Sequence, residues 1–475
     1  MMKRVTNKVT TVNEVQSLTT TLRNRNITAE LCIYRVPEKL RKVKEDAYKP
    51  LVVSIGPLHR NEVYLAPMLQ HKLHYTATLL NLNPQVEDQG SNKWLEKCIE
   101  TIQGLDKMIR RCYIEEIDCT DYELAEMMLV DGCFILELFL RFDRTLNYMK
   151  LEDKRSDPVL KSAWNMTALK HDLALLENQI PFFILEILYN AIRPRIKNSC
   201  DVPESVISLA LSFFKPMSKK TRKEEPLGTE CRHLLDLLHR FYFLPSSFSG
   251  IDNDLEQNTG LKNKDDSTTH LEFCPAKQKW GFNHCASKLL ESGVKFRVAT
   301  STAKESLLDI DFNQQSGEIH MPKLLVHDAT SFSLLRNLIA FEQCSLNSTN
   351  SVTSYAFLMR SLISSSRDSQ VLEKIGIIEH ISNGDEGYLA NRFQSILEGV
   401  DLMDDFRLRE VCDKVNKYHK SWYSLIRLGV FFRKQRRILW ANYLSSAWKV
   451  MSILAAVIIL IFTSLQTYYT IHPRN

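Results

Sequence analysis

The sequence predicts a mainly α-helical protein: a large multi-helix globular domain, a small β element at about 293–326, and one C-terminal transmembrane helix. Three observations support this fold class. Apolar residues recur at three- and four-residue spacing along most of the chain, as in helices with one buried face. Short stretches rich in Val, Ile and Phe, with some alternation, lie between 293 and 326. The stretch 448–470 is long and apolar enough to cross a bilayer.

The composition is that of an ordinary globular protein, and it argues against several classes of function. Of the 475 residues, 44% are hydrophobic and 25% are charged. The net charge of +5 is small and lies largely beside the C-terminal apolar stretch, which disfavours a dedicated nucleic-acid binder. The eleven cysteines form no C-x-x-C pair, and we interpret them as small buried hydrophobes in a reducing compartment. We predict neither a cofactor nor a metal.

Residues 1–28 form a polar N-terminal segment, and a single helical domain is predicted over 29–447. Prolines interrupt the stretch 33–59, within which 51–55 is a short extended run. A helix is then predicted from Pro67, a favourable first-turn position. Its buried face carries four residues at helical spacing: Leu69, Leu73, Thr76 and Leu80.

Two segments are apolar almost all round and are predicted to form the centre of the core: 122–142 and 169–192. Pro181 must break or kink the second. A further amphipathic helix is predicted over 94–113.

The remaining elements follow from the same patterns. Helices are predicted at 203–214, 231–243, 331–344, 352–363, 368–378, 387–397 and 404–444. Strands are predicted at 293–299, 307–312 and 318–326, with a turn at Ser316-Gly317. The charged stretch 215–230 is a linker. The stretch 249–270 contains only three large apolar residues and is predicted to be a mobile insertion.

The C-terminal stretch has the features of a membrane anchor. Val450 to Gln466 carries no charge, and aromatic and cationic residues suited to the membrane interface flank it: Trp448, Lys449, Tyr468 and Tyr469. Because the run 433–437 is rich in Arg and Lys while the tail 471–475 is not, the N-terminal domain is expected in the cytosol. The expected partner is therefore membrane lipid, at the plasma membrane or an endomembrane, and the basic run is expected to attract anionic headgroups.

Acidic residues inside apolar helices are the candidate catalytic groups. They are Asp131, Glu137, Asp172, Glu177 and Glu186. Spacing of five or six residues turns acids of one helix to different faces, so a carboxylate pair would have to form between helices. Asp131, Asp172 and Glu177 are the best candidates for such a site. The structural alternative is that these acids bind backbone N–H groups or arginines, and Glu177-Asn178-Gln179, next to Pro181, suits that role.

One pair of histidines has a spacing that metal ligands use. His71 and His74 lie three positions apart on one predicted helix. No third ligand is indicated, so no metal site is predicted.

Motifs spread along the chain resemble those of one plant family. They include IYRVP (33–37), YKPLVVSIGPLH (48–59), LVDGCFILELF (129–139), DLALLENQIPFF (172–183) and RNLIAFEQ (336–343). In this order they are similar to the plant domain-of-unknown-function family 247, over roughly 30–470. The resemblance implies a large helical domain, one C-terminal membrane helix and no established enzyme activity. Some grass relatives are implicated in pollen–stigma self-incompatibility, which implies recognition. The chain departs from the family pattern at Leu58–Asn61.

Three functional hypotheses follow. The leading one is a membrane-anchored protein whose cytosolic helical domain binds other proteins. The second is a hydrolase that uses acids of the two central helices. The third is a self/non-self recognition determinant, whose allelic variation would cluster on exposed surface such as 249–270.

Overall fold

The computed structural model describes most of the globular domain and the C-terminal helix. The described residues are 31–80, 89–147, 157, 159–160, 162–196, 203, 205–214, 231–244, 280–299, 306–327, 329–345, 349–380, 387–401, 405–420 and 447–471. The predicted N-terminal segment, the linker 215–230, the insertion 249–270 and the last four residues lie outside them.

Helices dominate the described part of the chain, as the sequence predicts. They are α1 (Glu38–Arg41), α2 (Met68–Leu79), α3 (Gln89–Gln103), α4 (Asp106–Arg111), α5 (Asp121–Asn147), α6 (Ala163–Asp172), α7 (Phe182–Ile196), α8 (Val206–Phe214), α9 (Leu234–Phe243), α10 (Ala286–Glu291), α11 (Ala329–Cys344), α12 (Ser351–Leu362), α13 (Ser366–Ile375), α14 (Tyr388–Ser395), α15 (Arg409–Lys420) and α16 (Ala447–Ile471). Short 3₁₀ turns occupy Glu45–Ala47 and Val63–Leu65.

Five short strands form two small sheets. They are β1 (Lys295–Val298), β2 (Asp311–Asn313), β3 (Glu318–Met321), β4 (Leu324–Val326) and β5 (Ile378–His380). The first sheet has the order β1-β3-β2, with β1 parallel and β2 antiparallel to β3. Gly317 makes the turn between β2 and β3 with a φ of 67°, and its N–H donates to the Asn313 carbonyl. In the second sheet β4 pairs in parallel with β5.

Helix α5 is the centre of the core and confirms the prediction for 122–142. It begins after Thr120, which exchanges hydrogen bonds with Glu123 in a capping box. It packs against α2, α3, α7 and α8. Phe134, Leu138 and Phe139 have no exposed surface, as expected of a helix that is apolar almost all round.

The prediction for the buried face of α2 is right for Thr76 and Leu80, which are buried, and wrong for Leu69 and Leu73. Leu69 and Leu73 are 49% and 43% exposed, whereas Lys72, Tyr75, Thr76 and Leu79 are buried. The reason is that Lys72 is drawn inward by a buried carboxylate, described below, which rotates the leucines toward solvent. Periodicity alone cannot anticipate a buried ion pair.

Three predicted elements are divided in the structure. The helix predicted over 94–113 stops at Gln103 and resumes at Asp106, next to Gly104. The segment predicted as helical over 169–192 ends at Asp172 and resumes only at Phe182, because Pro181 and the buried polar side chains before it replace the helix with turns. The strand predicted over 318–326 is split at Pro322, so β3 and β4 belong to different sheets.

Further boundaries differ from the predictions. The strand predicted over 307–312 begins only at Asp311 and ends at Asn313. The helix predicted over 368–378 ends at Ile375, where Gly376 adopts a left-handed conformation. The chain then forms β5, a strand that the sequence did not reveal because it is only three residues long. Of the helix predicted over 404–444, the described part is α15.

The C-terminal helix α16 covers 25 residues and includes the whole predicted anchor, 448–470. Its described large apolar side chains are exposed, and Phe462 is 67% accessible. The side chains of 447–450, 452, 453 and 469–471 are outside the described set. Within the described residues, no helix combines the length and hydropathy that a membrane crossing requires.

Candidate functional site

Two of the candidate acids bind one short, irregular stretch of backbone. Asp172, the last residue of α6, has no exposed surface. Its carboxylate accepts hydrogen bonds from the backbone nitrogens of Leu51, Val52 and Val53 at 2.7–2.8 Å. The side chain of Asp131, in the middle of α5, accepts from the Gly56 nitrogen at 2.7 Å. These carboxylates thus occupy the position that a neighbouring strand would have in a sheet.

Two further side chains complete the hydrogen bonding of this stretch. The Asn178 amide accepts from the Ile55 nitrogen and donates to the Val53 carbonyl, at 2.7 and 3.0 Å. The Lys72 ammonium forms an ion pair with Asp131 and donates to the Ser54 carbonyl at 2.8 Å. A segment that belongs to neither sheet therefore has its buried polar groups satisfied by side chains.

The third candidate, Glu177, lies where the N-terminal part of the domain meets the turn before Pro181. Its carboxylate accepts from the Val36 nitrogen at 2.6 Å and pairs with Arg35 and Arg41. The His59 ring nitrogen is 3.4 Å away. Burial opposes ionisation of Glu177, but the hydrogen bonds from His59 and Val36 and the two arginine charges outweigh it, so its pKa is lowered.

The turn before Pro181 is stabilised by the side chain of Gln179. The Gln179 amide nitrogen donates to the Leu173 and Leu175 carbonyls, and its oxygen accepts from the Leu235 nitrogen. The two carbonyls lie in the turn that replaces the interrupted helix, and the Leu235 nitrogen is in the first turn of α9. Gln179 thus binds backbone close to Pro181, whereas Glu177 and Asn178 bind mainly groups of the distant stretch 35–55.

Gly56 brings the two sides of the site into close contact. Its φ is 72°, and a Cβ there would lie 2.5 Å from the Gln179 carbonyl oxygen. The same carbonyl accepts a hydrogen bond from the Tyr113 hydroxyl at 3.0 Å. The glycine is therefore needed both for its left-handed backbone and for the lack of a side chain.

We call Asp131, Asp172, Glu177, Asn178 and Gln179 the polar cluster. The structure brings all five to one side of residues 36–59, and Asp131, Asp172 and Glu177 each bind several donors. A general acid or base must face its substrate within hydrogen-bond reach. The described contacts of its three carboxylates are instead to backbone N–H groups, to cations and to the rings of His59 and His171. Chemically, the arrangement fixes the path of residues 36–59.

A cleft of about 310 Å³ lies elsewhere, between α3 and α7. It is lined by Lys97, Cys98, Thr101, Ile102, Ile187, Leu188 and Ala191. It contains none of the three candidate acids.

The other residues singled out in the sequence are separate from the cluster. Glu137 pairs with Arg141 one turn later in α5, with 2.6 Å between the oxygen and Nε. Glu186 is exposed on α7, so the expectation that it is buried is wrong. His71 and His74 lie on α2, His74 exposed. The described residues contain no group of three or more His, Cys, Asp or Glu placed to hold a metal.

Of the residues expected at the membrane interface, only Tyr468 has a described side chain, which is 60% exposed. Trp448, Lys449 and Tyr469 are described as helical backbone only.

Several residues of the site were missed in the sequence. Arg35, His59 and Lys72 carry no local signal, because each reaches its acid across a long separation in the chain.

Two buried acids outside the site were also missed. Asp368 has a local signal in the sequence, because it follows Ser365 by three positions and accepts from Ser365 in a capping box at the start of α13. Glu342, which lies in α11, accepts hydrogen bonds from the Val352 and Thr353 nitrogens at the start of the next helix, α12.

Exposed apolar side chains are concentrated in the stretch 51–73, whose first residues bind the polar cluster. Apart from α16, nine large apolar residues are exposed in the described part of the chain, and five of them fall between 51 and 73. These five are Leu51, Val63, Tyr64, Leu69 and Leu73, and we call them the apolar patch. The Tyr64 hydroxyl donates to the Pro50 carbonyl, which joins the two halves of the patch. Val63 is 86% exposed.

Comparison with known proteins gives a consistent result. The family model DUF247, described as plant protein of unknown function, matches residues 33–462. UPF0481 protein At3g47200 of Arabidopsis thaliana is 30% identical over 443 residues, which cover 92% of this chain and 85% of that protein. Putative UPF0481 protein At3g02645, also of Arabidopsis thaliana, is 22% identical over 504 aligned positions, covering 92% and 89%. No protein of solved structure matches the chain.

Proposed function

The chain belongs to the DUF247 family of plant proteins of unknown function, and we propose that it is a membrane-attached protein-binding module. In this proposal α16 attaches the chain to lipid, and the apolar patch on the cytosolic domain contacts a protein partner. The observation that carries the proposal is the location of the patch, directly after the backbone stretch that the polar cluster fixes.

Support for membrane attachment comes from α16 and its sequence. The helix has large apolar side chains exposed along its length, among them Leu454, Ile458 and Phe462. Burying such side chains in lipid gains about 25 cal/mol per Å² of apolar surface. The helix does not qualify as a span on its described residues alone. The absence of charge from 450 to 466 in the full sequence is the further support.

Flotation through a density gradient after a carbonate wash tests attachment. We expect the full chain to float with vesicles and a chain ending at Ser446 to stay at the bottom. The double substitution Ile458→Lys and Ile459→Lys should abolish flotation, while Ile458→Ala and Ile459→Ala should preserve it. Flotation of the chain ending at Ser446 would refute attachment through α16. A glycosylation tag after Asn475 reports the orientation.

Support for protein binding comes from the exposed area and its rigidity. Large apolar residues concentrated on one part of a surface mark interaction sites. Hydrogen bonds also fix the patch, since the Leu51 N–H donates to Asp172 and the Tyr64 hydroxyl donates to the Pro50 carbonyl. A rigid contact surface loses less conformational entropy on binding than a flexible one. A partner with an apolar contact surface of its own fits this chemistry.

Site-specific crosslinking in membranes tests the patch. A photoreactive phenylalanine in place of Tyr64 should give a discrete crosslinked protein, and Leu69→Ser with Leu73→Ser should abolish that product. The control carries the same photoreactive residue in place of Trp164, an exposed aromatic outside the patch. Identical products at the two positions would contradict binding at the patch.

Self/non-self recognition would be one use of such a surface. It predicts that allelic variation clusters on the patch or on 249–270, the latter outside the described residues. Sequencing alleles from one population would distinguish this use from a constant partner.

A further inference from the structure

We infer that Cys32 and Cys112 are a redox pair that closes to a disulfide when the chain meets a low-molecular-weight disulfide such as oxidised glutathione. Both cysteines are reduced in the structure. The disulfide would join Cys32 to the residue that directly follows α4, across 80 positions of the chain.

The backbone places the two residues side by side. The Ile33 and Cys32 nitrogens both donate to the Cys112 carbonyl, at 2.8 and 3.1 Å, and the Ile114 nitrogen donates to the Ile33 carbonyl at 3.1 Å. This is a parallel bridge between Ile33 and Tyr113. Cys32 and Cys112 each precede a bridged residue, so their side chains point to the same side of the pair. Neighbouring strands lie about 4.8 Å apart, within the Cα separations of about 4.4–6.8 Å that disulfides span.

The side chains of the two cysteines also interact. The Cys32 thiol and the Cys112 side chain are joined by a hydrogen bond, and the Cys112 sulfur also donates to the Met108 carbonyl at 3.3 Å. Cys32 is 1% exposed and Cys112 6% exposed. Because both sulfurs are buried, an oxidant must first reach them.

The reaction balances as two exchange steps. One cysteine loses its proton and attacks a sulfur of oxidised glutathione, which forms a mixed disulfide and releases one glutathione thiolate. The second cysteine loses its proton and attacks the protein sulfur of that mixed disulfide, which forms the Cys32–Cys112 bond and releases the second thiolate. The two glutathione thiolates take up the two protons. The protein is oxidised by two electrons, and the oxidised glutathione is reduced.

Access should limit the rate. The hydrogen bond between the thiols and their burial raise the pKa of Cys32, so the attacking thiolate is scarce in the closed structure. Opening of the bridge at Ile33, which breaks the backbone hydrogen bonds to the Cys112 carbonyl, would give an oxidant access to both sulfurs. Oxidation is therefore expected to be slow and to depend on local opening.

Formation of the Cys32–Cys112 disulfide would affect the part of the domain that contacts the polar cluster. The loop closed by the disulfide contains Arg35, Val36 and Arg41, which bind Glu177, and the whole of 51–73. A disulfide that closes a long loop removes conformational freedom from the unfolded chain. The redox potential of the compartment would thereby set the stability of this region.

Peptide mapping of the full chain tests the inference. The folded chain is equilibrated with oxidised glutathione and quenched with acid, free thiols are then alkylated in denaturant, and disulfide-linked peptides are identified by mass spectrometry. We expect a peptide pair joining Cys32 to Cys112 to be the main linkage, and dithiothreitol to remove it. The same treatment in urea should give mixed pairings among the eleven cysteines, because the folded geometry that selects this pair is lost.

Thermal unfolding supplies a second readout. Oxidation should raise the Tm of the wild-type chain and of Cys412→Ser by a few degrees and leave the Tm of Cys32→Ser unchanged. Cys412 is a suitable control because it is 2% exposed, as buried as Cys32, and lies on α15. If Cys32 and Cys112 of the wild-type chain stay fully alkylatable at equilibrium, or pair mainly with other cysteines, the inference is wrong. This peptide result does not depend on whether any variant folds, or on the proposed protein binding.

Discussion

The carboxylate of Asp172 lies 2.8 Å from the backbone nitrogen of Val53, a residue 119 positions earlier in the chain. The same carboxylate, which has no exposed surface, also accepts hydrogen bonds from the Leu51 and Val52 nitrogens. A carboxylate at the C-terminal end of a helix is disfavoured by the helix dipole. Its three backbone donors compensate for that cost, so the contact is a structural one that ties α6 to residues 51–53.

Replacement of Asp172 by Asn should destabilise the domain by about 3 kcal/mol, since charge-assisted hydrogen bonds are lost and buried N–H groups lose their acceptor. The amide group offers one acceptor oxygen where the carboxylate offers two. Denaturant unfolding of the full chain in detergent measures the change. Asp46→Asn, on an exposed side chain, is the matched control and should change the stability by less than about 0.5 kcal/mol. Equal stability of the two variants would show that Asp172 is not a structural anchor.

Gly56→Ala should be among the most damaging single-methyl additions in the domain. The added Cβ would meet the Gln179 carbonyl oxygen at 2.5 Å, on a backbone with a φ of 72°. We expect a loss of about 2 kcal/mol or more. Gly387→Ala is the control, because the Cβ there meets its nearest atom at 3.6 Å and its φ is −94°. In denaturant unfolding, Gly56→Ala should have a clearly lower midpoint than Gly387→Ala, and similar midpoints would contradict the prediction.

Lys72→Met should cost about 3–5 kcal/mol, because Asp131 is left as a buried charge without its cation. The double variant Lys72→Met with Asp131→Leu should recover part of that loss, since neither charge remains. A double-mutant cycle with the two single variants measures the coupling. Strictly additive single effects would mean that the ion pair contributes no coupling energy.

Glu177 should make the domain sensitive to acid. Its pKa is lowered in the folded chain, so it stabilises the domain above its unfolded pKa near 4.5, and that stabilisation is lost as the pH falls through the folded value. Between pH 5 and pH 3 the wild-type chain should lose stability faster than Glu177→Gln. At pH 7 the variant should be the less stable of the two, because Arg35 and Arg41 lose their partner.

The same Glu177→Gln variant separates the structural role from the hydrolase hypothesis. A structural carboxylate predicts lowered stability at pH 7 and, where the variant stays folded, an unchanged phenotype. A catalytic carboxylate predicts full stability with loss of function.

His233 should add a second pH dependence at higher pH. Complete burial lowers its pKa to about 4, with the nearby Asp236 opposing the shift and Arg232 adding to it. The unfolded chain takes up a proton below about pH 6.5 while the folded one does not, so stability falls as the pH drops from 6.5 to 4. The slope is at most about 1.4 kcal/mol per pH unit.

His233→Asn tests this dependence. Asn can still accept from the Asp236 nitrogen at the start of α9, as the histidine ring does at 3.1 Å, but it does not titrate. Its stability should be less dependent on pH between 6.5 and 4 than that of the wild-type chain. An unchanged slope would mean that other groups cause it.

The class of fold and the position of the central helix were predictable from local patterns. The all-round apolar stretch that became α5 and the Ser316-Gly317 turn each depend on a few neighbouring residues. The same holds for the bonds from Gln179 to the Leu173 and Leu175 carbonyls beside Pro181. Because the helical period and proline geometry act within one segment, the sequence contains them directly.

Features that depend on contacts between distant parts of the chain were decided only by the tertiary structure. The exposure of Leu69 and Leu73 depends on Lys72 reaching Asp131 in another helix. The path of 51–56 depends on acceptors more than 70 positions away. The sequence by itself determined which segments are helical and which acids lie among apolar residues. Only the packed chain determined their partners, because a buried carboxylate takes its hydrogen bonds from whichever donors the fold brings within about 3 Å.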